Sequence, residues 1–471
     1  MAGSRLFSLL TALLLLSPAT PAGAAPPSGD SCLRTIPVSG NSAFSAALTA
    51  AKPGDCLSLA DGTYNAVAAK NSGSAANPIV ISAKNRLKAG FSSGTVAVTG
   101  SHVTFEGFTF TGSANFRMTD TVGSRVTRSV FRSSAKEFVQ LYGKNGDGNR
   151  VDHNEMGPKK QEGHFVQIGQ NPYTPTTTLV DHNYFHDLAS GDQGGEALRV
   201  GGFGPPGDYF KSHTVFEYNL LVHCDGDAEI LSLKGSANTF RFNTVRASSG
   251  TINIRAGVDN VIQGNFVFSD GNKKAQGIRL SEDNHLIYNN YVEVIDKPLI
   301  LNAGDPKPGN PPPGVPPSGE FKGHAQVRNA VVAGNTFIGI TSGVDFGGGS
   351  APPLNLTFSG NIVRSGGTNI GHGSTPTKST YAANLLFGGT PGISGPGFRV
   401  ADPKLVRVAG VFQPGPDSPA LRAGAANAIL TEDVEGRQRL SPPDIGAVEA
   451  SSTTAPVRLP LTTADVGPSA P

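Results

Sequence analysis

The 471 residues carry a formal charge of only +2, with 16% charged residues, 60 Gly, 35 Pro and no Trp. So small a net charge excludes a bulk polyelectrolyte partner, so an anionic ligand must be met by a local cluster. Many corners and few charges suit short strands better than long surface helices, and a single repeat architecture absorbs this length in one body.

The chain opens on "MAGSRLFSLLTALLLLSPATPAGAAP", where Arg5 precedes an apolar run from Leu6 to Leu16 and a small-residue stretch ending at Ala25. This reads as a secretory signal peptide over 1–25, so the mature chain is expected outside the cytoplasm, periplasmic or extracellular. The run is too short to span a bilayer, and no membrane partner is expected. Residues 26–60 contain "NSAFSAALTAAKPGDCLSL", a short amphipathic helix followed by a Pro-Gly turn and a strand. Such a segment caps the open end of a solenoid. Cys32 and Cys56 stand either as a disulfide or as two buried thiols, and Cys224 reads as a small buried hydrophobe.

From residue 61 to 449 one phrase returns: "VTFEGFTF", "RVDHNEM", "LVDHNYF", "TFRFNTV", "VIQGNFV", "LIYNNYV" and "LTFSGNIV". The turn falls at 107, 129, 154, 183, 219, 243, 265, 290, 335 and 361, most often 22 to 26 residues apart. The units are rich in β-branched and aromatic residues, lack a helical period and place Asn repeatedly at one corner, where αL tolerance and stacked side-chain hydrogen bonds favour it. The expected fold is all-β, a single parallel β-helix with coils about 4.8 Å apart. "GDPKPGNPPPGVPPSG" (304–319) is a loop pushed out of a coil, and the Ser/Thr/Pro tail 450–471 is expected to be disordered.

Within this frame "DAEILSLK" (227–234) sets Asp227 and Glu229 on one face and ends on Lys234, while "TINIRAG" puts Arg255 on the face opposite Ile252 and Ile254. Counted from the corners, Lys234, Arg255 and Arg279 fall on successive coils as a ladder of cations, with no acid at the same position. Like charges about 5 Å apart call for a bound anion. Asp227 and Glu229, two apart on a strand, are a weak pattern for a shared hard cation. His164 and Arg199 lie on strands preceding this coil as candidate substrate contacts. The two "VDHN" stretches read as Asn turns rather than a metal centre, and no nucleic-acid-binding pattern emerges.

The stretch "CDGDAEILSLKGSANTFRFNTVRASSGTINIRAGVDNVIQGNFV", with "RVDHNEMGPKKQEGHFVQIG" and "GGEALRVGG", resembles the chondroitinase B and alginate lyase group, polysaccharide lyase family six, over about residues 30 to 450. The resemblance implies a right-handed parallel β-helix, Lys234 as Brønsted base, Arg255 as Brønsted acid, and Ca²⁺ held by Gln193, Asp227 and Glu229. Arg199, Arg279 and His164 would contact substrate. Asp227 replaces the family's first metal glutamate, Gln193 its asparagine, and Ala256 a frequent histidine. The expected reaction is β-elimination on an anionic, uronate-containing polysaccharide, most readily alginate, with chondroitin or dermatan sulfate second. A polygalacturonase-like hydrolase, which needs paired catalytic aspartates, and a non-catalytic polysaccharide-binding β-helix are the alternatives.

Overall fold

A computed structural model of the chain describes residues 32–169, 173–189, 194–202, 209–302, 304–319, 321, 323–347 and 350–471. The signal peptide (1–25) and Gln193 therefore lie outside the described residues.

Three parallel sheets of 14, 12 and 14 strands wind around one core among the described residues, each strand pairing with its counterpart one coil away. This is the expected parallel β-helix. The short strands alternate because every second side chain fills the interior: in Val139–Tyr142, Val139 and Leu141 are buried in the core while Gln140 belongs to the outer row. Phenylalanines stack from coil to coil, as in Phe185, Phe216 and Phe240, with ring centroids 5.6 and 5.1 Å apart. Each such pair contributes about 0.5–1.5 kcal/mol beyond the apolar area it buries.

The Asn corner joins the first sheet to the third. Asn154, Asn183, Asn219, Asn243, Asn265, Asn290, Asn335, Asn361 and Asn384 point inward with no exposed area. Each of the first eight sends its side-chain amide to the next residue's Oδ1, as Asn243 Nδ2 does to Asn265 at 3.1 Å. The left-handed conformation falls one residue earlier than expected, on His153, His182, Tyr218 and Phe242. There the side chain points outward, which leaves the Asn itself free to turn into the coil and satisfy buried backbone groups.

The cap is the helix Asn41–Ala50, with Phe44 and Leu48 buried against the first coil. A disulfide joins Cys32 to Cys56, whose Cα atoms are 5.6 Å apart, and Cys224 is buried and free. The carboxyl-terminal end departs from expectation. Instead of only closing the last coils, it folds back along the flank, where Val411, Val434, Ala447 and Val448 pack on Phe266, Phe268 and Tyr291. The tail expected to be disordered continues in the same direction: Leu461 N bonds Thr244 Oγ1 at 2.8 Å, Gly467 N bonds the His182 carbonyl at 2.8 Å, and Arg128 Nη1 bonds the Ala470 carbonyl at 2.6 Å. Backbone groups met in this way explain why a Ser/Thr/Pro composition is nonetheless ordered here. No helix among the described residues is long and apolar enough to cross a membrane.

Candidate active site

The 12-stranded sheet carries the candidate residues, and its register shows how they are aimed. Strands Leu198–Val200, Glu229–Lys234, Gly250–Ala256 and Ala275–Leu280 are consecutive in it. Arg199, Ser232, Asn253 and Arg279 are aligned rung to rung. Lys234 and Arg255 are not in that row. Between Glu229–Lys234 and Gly250–Ala256 the register slips twice: Glu229 pairs with Thr251 but Leu231 with Ile252, and Leu233 pairs with Ile254 but Lys234 with Ala256. Ile230 and Arg255 are therefore the extra residues of two opposed bulges. A bulge kinks its strand and re-aims the neighbouring side chain, a recurring arrangement beside active sites.

The expected ladder of three cations is thus corrected. Counting from the corners assumed a regular coil, and the two bulges shift the wall beneath them. Nor are the cations without acids. Lys234 Nζ lies 3.7 Å from Glu196 Oε1, and Arg255 Nε lies 3.8 Å from Glu229 Oε1. Across the site Arg199, Lys234, Arg255 and Arg279 lie among Glu196 and Glu229, so the charges interleave.

Lys234 is mostly buried, its side chain 11% exposed. Burial, then the positive charges of Arg199 and Arg255, hold its ammonium below the ordinary lysine value against the opposing pull of Glu196 and Glu229. This is the direction a lysine base requires. Burial alone would raise the carboxyl of Glu196, but contact with His164 and the charges of His164 and Lys234 bring it down to about 2. Glu196 is an anion throughout the working range.

His164 differs from expectation. The sequence makes it a candidate substrate contact, but it is 3% exposed, and its Nδ1 lies 2.9 Å from Glu196 Oε2, close enough for an ion pair though off-line for a hydrogen bond. It lies against Glu196, which in turn faces Lys234. The reason is positional: two residues before the aligned Val166 and Leu198, His164 and Glu196 occupy the same place on successive coils.

Arg255 is held from two sides. Glu229 Oε1 accepts from Asn253 Nδ2 at 2.7 Å and faces the guanidinium, while Arg255 Nη1 donates to His324 Nδ1 at 2.7 Å. Burial, then the charges of Arg255 and Arg279, push the His324 imidazole down to about 4, so it is neutral near pH 7. Arg279 Nε bonds Asn302 Oδ1 at 3.3 Å, and Asn302 Nδ2 bonds Ser281 Oγ at 2.7 Å. Ala256, which follows Arg255, is a buried small residue. The imidazole against Arg255 comes from a separate segment.

Asp227 precedes its strand, and its Oδ2 accepts from Gly194 N at 2.8 Å, which draws the residue adjoining position 193 against it. Asp227 and Glu229, two residues apart on the same coil, are hard-oxygen donors of the kind a divalent cation takes, although Glu229 Oε1 is already met by Asn253 and Arg255. His153, Asp181 and His182 form another cluster with ligand atoms within 4.8 Å of one another. There each imidazole Nδ1 is spent on its own aspartate at 2.8 Å and the rings stack 4.9 Å apart at the corner, in keeping with a structural role.

Glu196, Asn253, Asn302 and His324 escaped the sequence reading. Glu196 was detectable, because it stands two residues before Leu198 as Glu229 stands two before Leu231. His324 carried no comparable signal.

The model of the family described as Chondroitinase B matches residues 38–388. The chain belongs to the chondroitinase B family. Among solved structures, a mutant of the PL6 family alginate lyase AlyGC superposes with a TM-score of 0.72 at 25% identity, over 81% of this chain and 55% of that one. The chain thus spans about half the length of AlyGC. A mannuronic acid specific family 6 lyase from human gut microbiota gives 0.65 at 22% identity, over 78% of this chain and 91% of that one. The family 6 polysaccharide lyase Pedsa3628 of Pseudopedobacter saltans gives 0.65 at 21% identity, over 92% and 99%. No curated protein matches. The parallel β-helix is the fold the chain shares with these structures.

Proposed function

We propose that this chondroitinase B family member is a secreted lyase that cleaves a uronate-containing polysaccharide by β-elimination, with alginate as the first substrate to test and chondroitin or dermatan sulfate as the second. The observation that carries the reading is the pairing on adjacent coils of a buried lysine held below its ordinary pKa with an arginine fixed by Glu229 and His324. Alginate is favoured because structural neighbours are alginate lyases.

In this reading the unprotonated Lys234 amine takes the proton from C5 of the uronate. The electron pair left behind forms the C4–C5 double bond as the C4–O4 bond breaks, and the departing oxygen takes up a proton at the Arg255 side. Arg255 is a poor acid in water. Burial, reinforced by Arg279, lowers its pKa despite the opposing charge of Glu229, the direction that assists donation. Arg199 and Arg279, on the row beside the two residues, meet the sugar carboxylates. Glu196 fixes the lysine, and His164 fixes Glu196.

Asp227, Glu229 and the amide of Gln193 would hold Ca²⁺. A calcium ion there supplies charge that offsets the uronate carboxylate as C5 becomes negative. The aspartate is a hard-oxygen ligand on a shorter arm than glutamate.

The test is incubation with alginate, chondroitin sulfate, dermatan sulfate and pectate. A lyase releases unsaturated, ultraviolet-absorbing ends from at least one of the first three. New reducing ends without that absorbance would indicate a hydrolase, and neither would indicate a binding protein.

A further inference from the structure

The Pro-rich stretch 304–319 leaves the solenoid and returns at His324, and its neck is tightly built. Asp305 N bonds the His324 carbonyl at 2.9 Å, and Asp305 pairs with Ala325 as a parallel bridge. Gly304 lies so near that a Cβ there would stand 1.8 Å from the His324 carbonyl oxygen, so only glycine fits. The body of the excursion is clamped to the preceding coil. Asp283 accepts from Lys307 Nζ at 3.0 Å, from Gly314 N at 2.9 Å and from Arg328 Nε at 2.8 Å, and is itself fully buried. Lys307 also pairs with Glu282. A loop anchored by buried ion pairs and a backbone bridge holds its neck in one place, where a side chain can serve as a fixed reference.

Resting on the lyase reading above, we propose that His324 is a positioning residue for Arg255. Its Nδ1 accepts from Arg255 Nη1 at 2.7 Å, and its backbone is set by the neck of the excursion. Arg255 needs such a partner because it is the extra residue of a bulge, with no rung opposite it on the preceding strand to fix its direction. Glu229 faces Nε at 3.8 Å, and His324 takes Nη1, so contacts at the two ends of the planar guanidinium define its orientation. Because Nδ1 accepts, the ring proton resides on Nε2. Ser281 Oγ and Asn302 Nδ2, each 3.4 Å from Nδ1, surround the same nitrogen with donors and oppose its protonation.

The consequence is a fault in turnover without a fault in binding. In His324→Ala the guanidinium loses its short Nη1 contact and keeps Glu229 and the longer 3.5 Å bond to the Gly323 carbonyl, and kcat should fall about 10- to 100-fold with KM within about 2-fold. His324→Asn, whose Oδ1 can replace Nδ1 as acceptor, should recover most of that loss. Gly304→Ala, which displaces the His324 carbonyl without altering the imidazole, should resemble His324→Ala. A readout independent of turnover is the ¹⁵N NMR spectrum of the histidine ring near neutral pH, assigned by comparison with His324→Asn. It should show the Nε2–H tautomer, changing to a mixture in Arg255→Ala. A ring protonated on Nδ1 in the unaltered protein, or a His324→Ala variant with undiminished kcat, would overturn the proposal. Failure of the unaltered protein to form unsaturated ends from any uronate polymer would overturn the lyase reading and the positioning role with it. The NMR result would still report on the contact itself.

Discussion

Along the Asn corner one hydrogen-bonding pattern repeats from Asn154 to Asn384, whereas on the 12-stranded sheet two adjacent coils lose register twice between Glu229 and Lys234. Both regions belong to the same solenoid and are built from coils of similar length. The corner shows what the repeat does when stability is all that is asked of it. Each Asn satisfies buried backbone groups of its neighbours, and regularity is rewarded because every coil supports the next. The wall departs from that pattern where Glu229, Lys234 and Arg255 must converge, and its polar groups are tied to Glu196, Asn253 and His324 instead of to their own rungs.

The contrast is sharpest in single substitutions. Lys234→Ala and Arg255→Ala should each reduce turnover by about 10³-fold or more, with Tm within about 2 °C of the unaltered protein, since neither side chain fills the core. Thermal melts run beside initial-rate assays check both halves. Asn243→Ala should do the reverse. Its side chain accepts from Asn219 and donates to Phe216 O, Arg241 O and Asn265 Oδ1, so its loss leaves several buried groups without partners. Denaturant unfolding should show a loss of about 2–4 kcal/mol, with kcat per folded molecule nearly unchanged. A catalytic defect in Asn243→Ala as large as its stability defect would erase the distinction between the two regions.

A smaller effect is expected from the metal. Exhaustive chelation should lower activity several-fold, added calcium should restore it, and Glu229→Ala should be insensitive to both. Full activity after chelation, with no metal found by elemental analysis, would remove calcium from the account and leave Lys234 and Arg255 in place.

The same contrast explains what could be read in the sequence. The corner was legible because its signal is one residue type recurring at a nearly constant spacing, and Asn at 219, 243, 265 and 290 announces itself without a structure. The alternation that buries Ile252 and Ile254 was equally plain. Bulges carry no such mark. "DAEILSLK" and "TINIRAG" read as regular strands, yet Ile230 and Arg255 are inserted residues, so a count that assumes regular coils puts Lys234 and Arg255 on one rung although Lys234 pairs with Ala256. His324 was hidden for a different reason. It is 69 residues from Arg255 in the chain, across an excursion whose length is unrelated to the coil period. The tail misled in a third way, because composition reports the capacity to form a core and not the backbone bonds an existing surface offers.

The most direct test of the central claim, that Lys234 is the base and that its neighbours set its pKa, is the pH dependence of kcat/KM in three proteins. For the unaltered protein the rate should rise with pH to a plateau, with a midpoint below the ordinary lysine value, because burial and then Arg199 disfavour the charged amine. Arg199→Ala removes a positive charge that lowers this pKa, so the rising limb should move to higher pH. Glu196→Gln removes a negative charge that raises it, so the limb should move to lower pH. Opposite shifts of this kind are the predicted result. A limb that stays in place in both variants, or moves in the same direction in both, would contradict the assignment of Lys234 as the group that must lose its proton.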